Sequence, residues 1–291
     1  VVDLAHNRVV ASVPVGRAPA GVAVSVAAGK AFVTNPESGS LSVIRLADNR
    51  VIDTVDAGSG PVGVAAAPDG SRVYVADWFR NRLLEFDARS HALVAEVPVG
   101  AAPAGVAVSP DGARVYVANR DDNNVGIVDA RLRRMVATVA VGNHPFALAV
   151  SAPGERLYVV NVWSNDVSVV DLSSRRVLAT LPVGNSPYGV AVAGERVFVT
   201  NQRSDNISVI DARALRVTAT VAVGGYPEGV DVWNDRVYVV NWMDDSMTVL
   251  DAHSLRVVAT VATGSNSRGF GQFIGVAPRT ENSSRQIKGE K

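Results

Sequence analysis

Short apolar runs broken by polar turns repeat along the whole chain. Val73-Tyr74-Val75-Ala76-Asp77 recurs with small changes at residues 31–35, 115–119, 157–161, 197–201 and 237–241. Each copy is β-branched and aromatic and ends on Asn or Asp, which stop a strand. Apolar side chains occupy both alternate sets, so each run predicts a strand buried on both faces. Such a strand needs a sheet on either side. A fixed repeat of this kind predicts sheets stacked around an axis.

A glycine sets the period. It stands at Gly16, Gly58, Gly100, Gly142, Gly184, Gly224 and Gly264, spaced by 42 residues four times and then by 40 twice. That is the length of a four-stranded propeller blade. Proline follows three residues later in six copies, at Pro19, Pro61, Pro103, Pro145, Pro187 and Pro227. Fixed φ at Pro and free φ at Gly predict a shaped turn. The first strand after it is small-chained, as in Val106-Ala107-Val108, which suits crowding near the axis. A hairpin such as Ser109-Pro110-Asp111-Gly112 leads into the second strand. A polar loop leads to the third, as in Val167-Ser168-Val169-Val170-Asp171, and a tight turn to the fourth, as in residues 177–183. Polar members in the fourth strand predict a partly wet outer edge.

The two ends differ from the middle. Val1-Val2-Asp3 aligns with the end of a third strand, and residues 9–15 read as a full fourth strand. Six complete units span residues 19–264, and residues 268–274 align with a first strand alone. Placing both ends in one sheet would close a seven-bladed ring and remove open edges. Its closing blade would lack a second strand, which is expected upstream of Val1. The reading is one all-β propeller domain over residues 1–277, and a polar tail, read as mobile, over 278–291.

Composition narrows the function. A 47% hydrophobic content supports a large core, and a formal net charge of +0 gives no global attraction to nucleic acid or anionic lipid. With Cys 0, disulfides, thiolate zinc sites and a Cys nucleophile are excluded. No apolar run approaches the roughly 20 residues that span a bilayer.

The repeat resembles the YVTN family of β-propellers. Phe32-Val33-Thr34-Asn35 and Phe198-Val199-Thr200-Asn201 are near-literal copies of its motif, and Phe270-Gly271-Gln272-Phe273-Ile274 is similar to its closing segment. The resemblance covers essentially residues 1–277. It implies a bacterial or archaeal extracytoplasmic protein, periplasmic, secreted or at the cell surface, similar to YncE-like and surface-layer-associated propellers. Some YncE-type members are associated with DNA binding, so nucleic acid is an alternative partner.

In a propeller the loops from strand four to one and from strand two to three share one face, where ligands are usually held. Here those loops carry the candidates Trp78, Phe79, Arg80, Arg120, His144, Trp163, Tyr188, Arg203, Tyr226 and Trp242. Three of the four Trp residues fall on this face, one or two places after the strand-ending Asn or Asp. Aromatic rings with Arg and carboxylates suit a protein, glycan or small ligand. The competing reading packs the same rings between blades and plugs the axis. If DNA were the partner, Arg17, Arg80, Arg82, Arg120 and Arg203 would contact phosphates and Trp would stack on bases.

Catalysis is not expected, and no cofactor or metal. His6, His91 and His253 read as solvated residues of the opposite face, leaving His144 alone on the loop-rich face. Asp121-Asp122-Asn123-Asn124 lacks the Gly and distal Glu of a calcium loop. A lactonase-like or lyase-like enzyme remains the third reading; it needs a convergent acid–base group. Asp ending strand three followed five residues later by Arg, as in Asp129 and Arg134, is read as a turn scaffold. The expectation is a monomeric, non-catalytic binding propeller.

Overall fold

The computed structural model describes residues 1–275; the tail, and the domain boundary at residue 277, lie outside them. Six four-stranded antiparallel sheets follow one another, each with its strands in sequence order. The first holds Val22–Ser25, Lys30–Asn35, Ser40–Arg45 and Arg50–Asp56; the sixth holds Pro227–Trp233, Arg236–Asn241, Ser246–Asp251 and Val257–Ala262. The blades are those read from the period.

Burial follows the sequence pattern. In the second blade Tyr74, Val75, Leu83 and Leu84 on the second and third strands are all buried. The fourth strand of the first blade, Arg50–Asp56, alternates between exposed and half-buried. The core is divided between seams. Phe32 and Val43 of the first blade pack against Val73 and Leu84 of the second. Full burial of such a side chain contributes about 1.5–3 kcal/mol, so each seam adds to stability.

Near the axis the innermost strands meet backbone to backbone. A Cβ on Gly63 would overlap Ala104, one on Gly105 would overlap Phe146, and one on Gly189 would overlap Glu228, in each case at the backbone of the next blade. The Pro-x-Gly turn therefore serves ring packing as well as chain reversal.

On the face opposite the candidate loops, the basic residue that opens a second strand reaches the next blade. Lys30 Nζ donates to Ala88 O at 2.6 Å, and Arg156 and Arg196 donate to the equivalent carbonyls of Ala212 and Ala252. Lys30 also lies 2.9 Å from His91 Nε2, whose Nδ1 lies 2.7 Å from Asp53. His91 is therefore a seam residue with 11% of its side chain exposed, not a solvated turn residue. The terminal Asp of strand three does bond its turn: Asp129 Oδ1 accepts from the amides of Arg131 and Leu132. Its ion pair, however, is with Arg114 on the neighbouring second strand at 2.6 Å. The five-residue spacing brings Asp129 and Arg134 into cross-strand register only.

Ring closure departs from the expected pairing. The N-terminal strands are shorter, Val2–Asp3 against Arg8–Val9, and form a separate two-stranded sheet. Residues 270–274 do not join it. Phe270 instead bridges Gly21 in parallel, and Val22 N and Val24 N donate to Phe270 O and Gln272 O at 2.7 and 2.9 Å. The reason is spacing. Strand positions one and three lie two separations apart, about 9.5 Å, too far for a ladder without the intervening strand. Both ends still fill the gap between the sixth and first blades. Val2, Leu4, Phe273 and Ile274 pack on Tyr238 and Val249, while Val13 and Val15 pack on Val33 and Ile44. Among the described residues there are thus six complete blades and a split seventh position.

Candidate ligand-binding mouth

The loop-rich face is built on a rigid frame. Ala102, His144, Ser186, Tyr226 and Asn266 all occupy the left-handed region, with φ of 49°, 54°, 51°, 54° and 53°. Non-glycine residues rarely stay there unless held. Here an Asn or Asp of the preceding blade holds each one. Asn123 Oδ1 accepts from His144 N at 2.8 Å, and Asp205 Oδ1 from Tyr226 N at 2.9 Å. The backbone is constant while the side chain varies, so this position presents different chemistry without altering the scaffold.

The second-to-third loops are clamped to the same turns. Trp242 N donates to Tyr226 O at 3.1 Å, and Trp163 N to Asn143 O at 3.2 Å. Asp122 and Asp244 accept from the amides of Ala101 and Gly225 at 2.8 and 2.6 Å. These loop carboxylates shape the frame.

Two polar–aromatic clusters stand on it. In the first, the Arg120 guanidinium lies 5.2 Å from the Trp78 ring centre and 5.7 Å from that of Trp163. Both are within cation–π range. Arg120 also donates to Asp121 at 2.6 Å. The His144 ring stacks on Trp163 with centres 3.5 Å apart and planes 16° apart. Its Nδ1 is buried without a hydrogen-bond partner among the described residues, with Asp121 Oδ1 4.0 Å away. Burial first, and the Arg120 charge second, push the His144 pKa down, which favours the neutral ring.

The second cluster surrounds Glu228. This carboxyl is 4% exposed. Its Oε1 accepts from Gln202 Nε2 at 3.3 Å, while Oε2 lies 3.9 Å from Arg268 Nε. Burial pushes the Glu228 carboxyl up to about 7, outweighing the opposing pull of Arg268. Arg268 lies 5.4 Å from the Trp242 ring centre, and Trp242 lies 5.2 Å from Tyr226. Between the clusters Phe146, Tyr188 and Phe270 form an aromatic floor, with Phe146 4.3 Å from Tyr188 and 4.9 Å from Phe270.

The structure thus brings Trp78, Arg120, His144 and Trp163 together in one cluster, and Tyr188, Tyr226 and Trp242 around Glu228. Phe79, Arg80 and Arg203 are exposed on the same loops and make no aromatic or ion-pair contact with either cluster among the described residues. Arg82, weighed as a phosphate contact, is held by Asp77 and Glu96 at 2.9 and 2.5 Å. Both readings of the aromatics apply, to different rings. Phe146 and Phe270 are buried and close the axis, whereas Trp163 is 66% exposed.

Glu228, Gln202 and Arg268 were not among the candidates. A signal for two of them exists in the repeat. Ala20, Val62, Ala104, Phe146, Tyr188, Glu228 and Arg268 share one register after the turn, and only the last two are charged. Beyond the floor, on the opposite side, a cavity of about 550 Å³ runs between the inner strands, lined mainly by Gly, Ala and Val with Asp231 as its charged member. No group of three or more His, Asp or Glu side chains converges as a metal site among the described residues.

A family model described as YNCE-like beta-propeller matches residues 108–194. The likeness to YncE-like propellers is therefore shown. A second model, described as lactonase, 7-bladed beta-propeller, matches residues 24–142. No curated protein matches in sequence. Among solved structures, a chain of hydrazine synthase from Kuenenia stuttgartiensis is similar, with a TM-score of 0.60, 17% identity, and coverage of 84% of this chain and 98% of that one. At that identity the likeness concerns the fold. No helix of the described residues is long and apolar enough to cross a membrane.

Proposed function

We propose that this YncE-like propeller is an extracytoplasmic binding protein without catalytic activity, which holds a protein, glycan or small ligand at its loop-rich mouth. The observation that carries the reading is Trp163. It is 66% exposed yet held flat against His144 and beside Arg120. An exposed Trp held rigid offers contact area at little entropic cost, and Trp, Tyr and Arg dominate binding hot spots. The extracytoplasmic placement rests on the family resemblance.

The test pairs stability with binding. Trp78→Ala, Trp163→Ala and Trp242→Ala are unfolded in denaturant, and their binding is measured to the partner recovered with the wild-type protein from native extract. Loss of binding in a folded Trp163→Ala protein supports the reading. Unchanged binding by all three overturns it. Salt-dependent binding to DNA would favour the nucleic-acid alternative, and saturable hydrolysis of a lactone the enzymatic one.

A further inference from the structure

Glu228 is a buried carboxyl with too few partners. An ionised carboxylate can accept about four hydrogen bonds, and here one oxygen receives one, from Gln202, while the other faces Arg268 beyond hydrogen-bond distance. Buried charges are normally paired and hydrogen-bonded. The surroundings are those of a cation site: the Trp242 face, the Tyr226 ring beside it, and Tyr188, whose hydroxyl is held protonated by burial and by the Glu228 charge. The Trp242 indole Nε1 is also buried without a partner among the described residues.

Arg268 shows how a cation sits there. It belongs to the closing segment, at the register that Glu228 occupies in the sixth blade, and its guanidinium stands over Trp242. It is held loosely. Its side chain is 41% exposed, its contact with Glu228 is 3.9 Å, and it donates no hydrogen bond among the described residues. A guanidinium that fitted this cradle fully would donate to the carboxylate in bidentate fashion.

We propose that the cradle of Glu228, Gln202, Trp242 and Tyr226 is a subsite for an organic cation, a guanidinium or alkylammonium group on the ligand, and that Arg268 is its intramolecular occupant in the free protein. The proposal rests on the loop-rich mouth being the binding face, and adds the charge of the group recognised there. Ring electrons and a desolvated carboxylate together select a cation over an anion or a neutral group. The ligand's cation displaces Arg268 outward, where its guanidinium is free to meet solvent or a ligand carboxylate.

The test uses methylguanidinium and tetramethylammonium chlorides as probes, titrated calorimetrically against sodium chloride of equal ionic strength. The wild-type protein binds one equivalent weakly. Arg268→Ala, which removes the occupant, binds the same probe about tenfold more tightly, equivalent to about 1.4 kcal/mol. Glu228→Gln in either background abolishes binding while the protein stays folded, as checked by its thermal transition. Absence of saturable binding by wild type or by Arg268→Ala overturns the proposal, as does binding that survives Glu228→Gln. These outcomes are independent of the Trp163→Ala experiment, so a mouth that binds its partner without recognising a cation is told apart from a mouth that binds nothing.

Discussion

The backbone N–H of Ile274 donates to Asp231 Oδ2 at 2.9 Å. Ile274 belongs to the segment that closes the ring, and Asp231 to the inner strand of the sixth blade. At the same register the other five blades carry Ala23, Ala65, Ala107, Ala149 and Ala191. The one carboxylate at this position thus stands where a single strand, lacking a sheet of its own, must be fastened to the sixth blade. On its other side the segment is fastened by its bonds to Val22 and Val24.

Asp231→Ala should therefore loosen the closure. Leaving a buried amide unpaired costs about 1–3 kcal/mol, and for this part-buried amide the lower end is expected, while Asp231→Asn keeps an acceptor and should cost less. Denaturant midpoints, with hydrogen exchange at the Ile274 amide, report the effect. Equal stability and exchange in wild type and Asp231→Ala would show that the bond does not secure the segment.

One buried carboxyl, Glu228, and one part-buried carboxyl, Asp231, give stability a defined pH dependence. Burial pushes Asp231 up to about 6 and Glu228 up to about 7. Between the unfolded and folded values the native state binds more protons than the unfolded chain, so their contribution is present below about pH 4 and lost as pH rises to about 7. The exposed turn carboxyls Asp171 and Asp251, both lowered to about 2 by hydrogen bonds to their turns, act in the opposite sense as pH falls below about 4. Stability should peak in mildly acidic solution. The double variant Glu228→Gln, Asp231→Asn should flatten the decline between about pH 5 and 7, measured as Tm against pH; a decline of unchanged slope would assign it to other groups.

Trp163→Ala should cost little stability, within about 1 kcal/mol, since surface substitutions outside packed sites have small effects. Loss of its stack with His144 is the main term. Affinity for the partner should fall by about 2 kcal/mol or more. A stability loss of roughly 3 kcal/mol or more, as for a core aromatic, would place the ring in the core.

The repeat glycine has a steric role that its turn alone does not explain. A Cβ on Gly184 would come within 2.7 Å of Asn201 Cγ, and one on Gly142 within 2.7 Å of Asn161 Cγ. The strand-ending Asn is fully buried against it, with Asn201 Nδ2 donating to Ser208 at 2.9 Å. Gly184→Ala should destabilise by about 1–3 kcal/mol through overpacking, and Asn201→Ala should make the substitution less costly. Additive effects in the double-mutant cycle would deny the contact.

By itself the sequence determined the blades. The period, the two-faced apolar strands and the Pro-x-Gly turns are local patterns, each repeated often enough to fix strand number, order and burial. Which loops share the mouth was also legible, because in a repeat every loop of one kind falls on the same face. Only the tertiary structure decided what meets there. Arg120 of the third blade lies between Trp78 of the second and Trp163 of the fourth. Glu228 gains its setting from Gln202 of the fifth blade and Arg268 of the closing segment, and His91 is buried by Lys30 and Asp53 of the first blade. Closure likewise follows the nearest available backbone, that of the first blade. Such contacts cross seams between units about 40 residues apart in sequence. They depend on how far each side chain reaches around the ring, which the alternation within a strand does not encode.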